Sequence, residues 1–527
     1  MTSFRSHMLG AAAALAMLAP SPALAQAPEA LKTEALAGVD ERAELVQEMV
    51  DSIFSFAEPG FQEFETQEYV TGILEENGFA IELGSAGIPS AWTATWTHGT
   101  GGPKIALGSD VDGLLGLSQK PGSPELVPLV EAAPGHGEGH NSGMATVVAA
   151  ALAVKEIMER ENISGTLMIW PGIAEELLAT KAFFVREGMF EGFDACIFTH
   201  VSNSFSTGWG AGGGNGMVSV EYTFRGSSAH GAGGPWNGRS ALDAVEVMNV
   251  AWNMRREHLY PTQRSHYVIT NGGGQPNIVP DVASVWYYFR EREFDSIRNL
   301  YEIGNTISEA AAMATDTTVS RRLLGYAAPQ HANRPMAEAA YANIQRIGMP
   351  EWSEADQAFA RMAQEANDRE IEPLRSEIGE LDEPSEFSIG GGSDDIGDIM
   401  WTLPTITIRF PSNIPNMIGH HQTAAIAMAT PIAHKGAVAG AKAVALTTLD
   451  LLMDPELLAE AKAYQQDVQF AEASYDPVLT DEDMPGIHLN EQIMQRLRPT
   501  LEQYYYDPEQ YDTYLDQLGV EYPPAGG

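Results

Sequence analysis

PKIALGSDVD at residues 103–112, GTLMIWPGIAEE at 165–176 and DACIFTH at 194–200 share one design: a short apolar run that ends on charged or titratable side chains. Apolar runs of this length, bounded by glycine, proline or acids, read as buried strands. Between the first two lies 142–160, apolar at Met144, Val147, Val148, Ala151 and Val154, a spacing that fits one face of a helix. Residues 177–188 read as a second helix. Strands alternating with helices predict an α/β fold, with a mostly parallel sheet flanked by helices. In such sheets the working groups gather at the carboxyl ends of strands. Asp112, Glu175, Glu176 and His200 all fall there.

Working towards the N-terminus, Ala43–Phe56 is amphipathic, and 64–78 reads as a helix closed by Asn77-Gly78, a C-cap signal. Working towards the C-terminus, Gly212-Gly213-Gly214 reads as a hinge. Beyond it come a strand at 218–225, a helix at 238–258, strands at 266–271 and 284–290, a helix at 294–314 and a strand at 318–325. The β-α-β-β-α-β order predicts a ferredoxin-like α+β insert. The α/β pattern then resumes with a strand at 404–410 and an Ala-rich helix at 434–452. These readings divide the chain into a catalytic domain at 26–212 and 331–452, an inserted domain at 213–330, and an acidic helical tail at 453–527 that carries Tyr504-Tyr505-Tyr506.

Arg5 and His7 precede an apolar run at 8–18, and Ala23-Leu24-Ala25 has the small-x-small form of a signal-peptidase site. Residues 1–25 are therefore expected to be removed on export, leaving a soluble periplasmic or secreted protein. With 71 acidic and 30 basic residues the net charge is −41, a field that repels phosphate backbones and anionic lipid, so neither nucleic acid nor a membrane surface is expected as a partner. The one cysteine, Cys196, permits no internal disulfide and reads as a buried small hydrophobe.

The densest chemistry is His136-Gly137-Glu138-Gly139-His140-Asn141. Two-residue spacing on extended chain puts Glu138 and His140 on one side, within reach of one ion. Carboxylate and imidazole donors suit zinc or manganese. Glu175-Glu176 places two acids side by side after an apolar strand, which is unfavourable unless a cation or a shared proton relieves them. A metal ligand beside a general base supplies that relief. Each feature alone has an ordinary explanation: a polar turn, acids at a helix N-terminus, a structural histidine at His200.

Their joint spacing resembles a known family. Glu138-x-His140, Glu175-Glu176, His200, the insert and a distant His420 are similar to the dinuclear metallo-amidohydrolases of the aminoacylase and carboxypeptidase-G type, and most similar to their auxin-conjugate amidohydrolase branch. Supporting stretches include Glu58-Pro59-Gly60-Phe61, Gly116-Leu117-Ser118-Gln119, Ser228-Ala229-His230-Gly231, Pro276-Asn277-Ile278-Val279-Pro280-Asp281 and Asp395-Ile396-Gly397-Asp398. The resemblance runs from about residue 40 to about 450. It implies Glu138, His140, Glu176, His200 and His420 as ligands of two divalent ions, zinc first, with manganese or cobalt as alternatives. It implies Glu175 as general base, His230 reaching across a homodimer to hold the oxyanion, Asn277 and Arg290 as substrate-binding residues, and Asp112 behind a ligand histidine. The insert then serves as lid and dimerisation domain.

The implied activity is hydrolysis of the amide bond in small N-acyl or aminobenzoyl amino acids. A dipeptidase or carboxypeptidase on the same site, or a catalytically silent binding homologue, remains open at this point. The branch carries Cys where this chain has Glu138, a change towards harder metal donors.

Overall fold

The computed structural model describes residues 27–212, 214–384 and 391–525. The expected signal peptide and Gly213 of the glycine run lie outside the described residues. The ten strands are β1 (Ala80–Leu83), β2 (Trp92–His98), β3 (Lys104–Asp110), β4 (Gly165–Gly172), β5 (Ala195–Ser202), β6 (Gly216–Arg225), β7 (Arg264–Asn271), β8 (Val282–Glu291), β9 (Thr318–Ala327) and β10 (Thr405–Pro411).

The larger sheet has the order β1-β2-β4-β3-β5-β10. Its four working strands, β4-β3-β5-β10, are parallel, and β2 and β1 extend it antiparallel on one edge. β4 is buried along its whole length, as expected of a strand covered by helices on both faces. The helices Gly143–Glu161 and Pro431–Met453 supply much of that cover and contact each other. Small residues make the contact close: a Cβ at Gly440 would come within 3.0 Å of the Thr146 Cγ2 on the other helix. The smaller sheet is antiparallel, ordered β7-β8-β6-β9, with the helices Ala241–Arg255 and Phe294–Thr315 packed on one face. It has its own core around Tyr222, Trp252, Tyr287 and Phe289.

Two expectations need correction. The second helix does not start at 177. A single 3₁₀ turn, Glu175–Leu177, follows β4, and the helix is Lys181–Arg186. The cause is backbone: Ala174 and Leu178 both take left-handed φ values, 51° and 50°, which break helical continuity on either side of the turn. And His200 sits inside β5, not at its end, because β5 runs on to Ser202 beside β10. Elements that went unread in the sequence include β1, β2 and the helices Glu29–Asp40, Arg334–Ile347 and Glu354–Ala366.

The last segment belongs to both cores. The Arg498 Nη1 donates to Glu58 at 2.5 Å and its Nη2 to the Gln62 carbonyl at 2.8 Å, so the tail ties down the Glu58-Pro59-Gly60-Phe61 turn. On the insert side, the Tyr475 hydroxyl donates to Asp398 Oδ1 at 2.7 Å.

Candidate metal centre

The site is built on the turn after β4. The Ala174 amide donates to Glu63 Oε1 at 2.9 Å, and the Glu176 amide donates to Asp112 Oδ2 at 3.0 Å. Glu63 itself is buried and accepts from Ser90 Oγ at 2.8 Å. Gly60 packs over Ala174 so closely that a Cβ there would stand 2.7 Å from the alanine methyl. Fixed from three sides, the turn directs Glu175 and Glu176 into one space at the carboxyl end of the sheet.

Two groups of three donors converge there. Glu138, His140 and His200 offer ligand atoms within 4.8 Å of one another, and so do Glu138, Glu176 and His420. Glu138 belongs to both. Its Oε2 lies 3.8 Å from His200 Nε2 and its Oε1 lies 2.8 Å from His420 Nε2. His420 Nε2 is also 3.6 Å from Glu176 Oε2. The ring orientations agree with a ligand role. His140 Nδ1 faces the Asp112 carbonyl at 3.2 Å and its carboxylate at 3.4 Å, which leaves Nε2 buried without a partner. His200 Nδ1 donates to the Val201 carbonyl at 2.8 Å, which leaves its Nε2 free towards Glu138. Imidazoles held at one nitrogen by a carbonyl or carboxylate are oriented as metal ligands are.

The electrostatics point the same way. Burial and the neighbouring Asp112 and Glu138 carboxylates outweigh His140 and push Glu176 up to about 8. Burial, Asp110 and Asp394 raise Glu175 well above the ordinary carboxylate range. Burial opposes the charged form of Glu138, yet hydrogen bonding to His420 and the charges of His200 and His140 bring it down to about 2. His140, which burial alone would depress, is pushed up to about 10 by Asp112, Glu176 and Asp110. Acids this crowded call for cations. The orphaned His140 Nε2 and Asp112 Oδ1, with a donor set of oxygens and imidazole nitrogens, fit divalent ions of the zinc and manganese kind.

Behind this cluster stands a second one that the sequence reading missed. Lys181 is fully buried, with Nζ 2.7 Å from Asp110 Oδ1, 3.7 Å from Asp394 Oδ1, and hydrogen-bonded to Asp395 Oδ1. A cavity of about 260 Å³ opens in front of the acids, lined by Glu138, Glu175, His200, Arg290, Arg409 and His420 among others. Arg290 thus reaches the site from the insert strand β8. Arg409, Gln330, Ser393 and Asp394 line it too and were not singled out in the sequence. Arg409 had a readable signal, a charge on the Thr405–Thr407 side of the alternation Ile406, Ile408, Phe410, and it stands in register beside His200.

His230 and Asn277 are not in this cavity. They sit side by side on two exposed loops of the insert, one after β6 and one between β7 and β8, where the Gly231 amide donates to the Asn277 carbonyl at 2.7 Å and His230 Nδ1 accepts from the Gly233 amide at 2.9 Å.

Residues 213–313 match the family model described as the peptidase dimerisation domain of the M20 peptidases. Over 458 residues the chain is 32% identical to one of the subunits of the p-aminobenzoyl-glutamate hydrolase of Escherichia coli (strain K12), covering 82% of this chain and 94% of that one. The chain belongs to the M20 peptidase family. It is 26% identical over 461 residues to the Xaa-Arg dipeptidase of Homo sapiens, covering 84% of this chain and 95% of that one. As a member of a family of hydrolases and peptidases, the chain is an amide-bond hydrolase. In fold it is similar to an aminohydrolase from methicillin-resistant Staphylococcus aureus described as putative, with TM-score 0.55 and 18% identity over 80% of this chain and all of that one. It is also similar to the aminobenzoyl-glutamate utilization protein of Klebsiella pneumoniae, with TM-score 0.51 and 16% identity over 80% and 97% of the two chains.

Proposed function

We propose that this M20 hydrolase cleaves the amide bond of small N-acyl or aminobenzoyl amino acids at a two-ion centre, with Glu175 as general base. The observation that carries the reading is Glu138: one carboxylate shared by two donor groups, each completed by its own two residues. Glu138, His140 and His200 would hold one ion, and Glu138, Glu176 and His420 the other. Bound divalent ions would polarise the scissile carbonyl and make the attacking water more acidic.

Glu175 does the proton work. Its carboxylate stands 3.9 Å from His140 Nε2, beside the first donor group and in the cavity wall. Burial and its acid neighbours raise the proton affinity of its carboxylate, which strengthens it as the base that takes a proton from water and hands it to the leaving amine. Arg290 is placed to hold the leaving carboxylate by its planar fork. His230 and Asn277 would complete the site from a second copy. Support for that arrangement is their exposure, the dimerisation domain that carries them, and the unpaired edge of β7, which shows Val268 and Ile269 to solvent.

Glu175→Gln should retain its metal and lose nearly all turnover, by about 10³-fold or more. Full activity in that variant, with metal content unchanged, would overturn the assignment. Mixing Glu175→Gln with His230→Ala should restore activity towards about a quarter of wild type, because half of random dimers carry one intact shared site. No recovery on mixing would place His230 outside the partner's site.

A further inference from the structure

The insert joins the catalytic half by two stretches of chain. They pair where the Gly210 and Ala332 amides each donate to the other's carbonyl, at 2.8 and 3.1 Å. Two adjacent stretches of this kind act as a hinge and leave the insert free to turn about it. Arg290 rides on the insert, so its place in the metal-side cavity depends on that angle. It touches the catalytic half through Nη1, which donates to Ser393 Oγ at 3.2 Å.

Residues 470–490 of the acidic tail make a further crossing. The stretch leaves the catalytic half where Gln469 Nε2 donates to the Met400 carbonyl at 3.0 Å and the Tyr475 hydroxyl donates to Asp398 at 2.7 Å. Phe470, Tyr475, Val478 and Leu479 pack against the core of the insert. Arg298, on the insert helix Phe294–Thr315, lies 2.7 Å from the Asp476 carboxylate and donates to the Asp476 carbonyl at 3.2 Å. Arg186 of the catalytic half donates to the Thr480 and Asp483 carbonyls at 2.9 and 2.7 Å, and Arg322 of β9 donates to the Pro485 carbonyl at 3.3 Å. The stretch ends beside the metal-site turn, where Asn490 Nδ2 donates to the Gly60 carbonyl at 2.9 Å. It alternates between the two halves. Swinging the insert would therefore shear apolar cover and charge-assisted hydrogen bonds together. We propose that residues 470–490 are a positioning strap, which holds the insert at the angle that keeps Arg290 in the metal-side cavity and so sets substrate affinity from outside the site. The effect on affinity rests on the amide-hydrolase reading; the effect on the angle does not.

Spin labels at Met313→Cys on the insert and Leu83→Cys on β1, both exposed positions, report the angle, and the buried Cys196 stays unlabelled. The zinc-loaded full chain should give one narrow distance distribution. Arg298→Ala with Arg322→Ala, which frees the strap from the insert, should widen it at least about twofold. A protease site inserted between the exposed Asp481 and Glu482, and cut after folding, makes the same test in a protein that has already folded. In the cut protein KM for N-acetyl-L-alanine should rise about tenfold, with kcat and metal content nearly unchanged. In an Arg290→Ala background the same cut should add less than about twofold, because strap and arginine act through one interaction. A distance distribution that neither change widens, or a KM effect of the same size without Arg290, overturns the proposal. Should the wild-type protein hydrolyse no N-acyl amino acid, the hydrolytic reading falls, while the label distances still decide the strap.

Discussion

Two crowded acid clusters lie back to back under the cavity, and they differ in the source of their cation. Around Lys181, the carboxylates of Asp110, Asp394 and Asp395 close on an ammonium that the chain supplies itself. Around Glu138, Glu176 shares its space with three histidines and has no lysine or arginine partner among the described residues. The first cluster has a cation of its own at any metal supply. The second is incomplete without added charge, which is the property of a site rather than of a scaffold. Glu175 stands on the border, within 4.8 Å of donors in both clusters. A general base benefits from that position: the lysine side fixes it, and the metal side is where the proton must be moved.

The largest effect comes from breaking the open cluster at its shared residue. Glu138→Ala should lose both ions together and reduce kcat/KM by about 10³-fold or more. The checks are metal stoichiometry by elemental analysis and steady-state rates. A variant that still binds two ions per chain would show that the two donor groups do not depend on one carboxylate. Breaking the closed cluster should act on stability instead. Lys181→Met leaves three buried acids without their cation and should destabilise the fold by about 3–5 kcal/mol in denaturant unfolding. An unchanged midpoint would mean that those acids are relieved by some other group.

The contrast also explains what was legible in the sequence. The parallel strands and their helices were, because burial on both faces writes continuous apolar runs such as 165–171. Glu138 and His140 stood out in one short glycine-flanked motif before a helix, and Asp112, Glu175 and Glu176 in motifs that follow strands. Lys181 did not, since a single lysine between Thr180 and Ala182 carries no local mark of burial, and its partners Asp110 and Asp394 are remote in sequence. β1 escaped because it is a four-residue, mostly exposed edge strand with no alternation to read. The helix after Glu176 was misplaced because left-handed Ala174 and Leu178 have no glycine or asparagine to announce them. The positions of His230 and Asn277 relative to the cavity depend on how the insert is set on the catalytic half, which no local pattern encodes.

The smallest expected effect is the change in melting temperature on metal removal, and its pH dependence separates the two clusters. In the metal-free fold Glu176 is pushed up to about 8 by burial, Asp112 and Glu138, and His140 is pushed up to about 10 by Asp112, Glu176 and Asp110 against its own burial. Both groups hold their protons to higher pH in the folded chain than in the unfolded one. Between about pH 5 and pH 8 these two groups therefore bind more protons in the folded state, and their contribution to stability falls as pH rises. Bound ions replace those protons with fixed positive charge and bind better as the ligands deprotonate, so the loaded protein should not follow the same fall. The gap between the melting temperatures of the loaded and chelated proteins should accordingly widen from about pH 5 to pH 8. A gap that stays constant would mean that Glu176 and His140 are relieved by something other than the ions, and the open cluster would then be a second closed one.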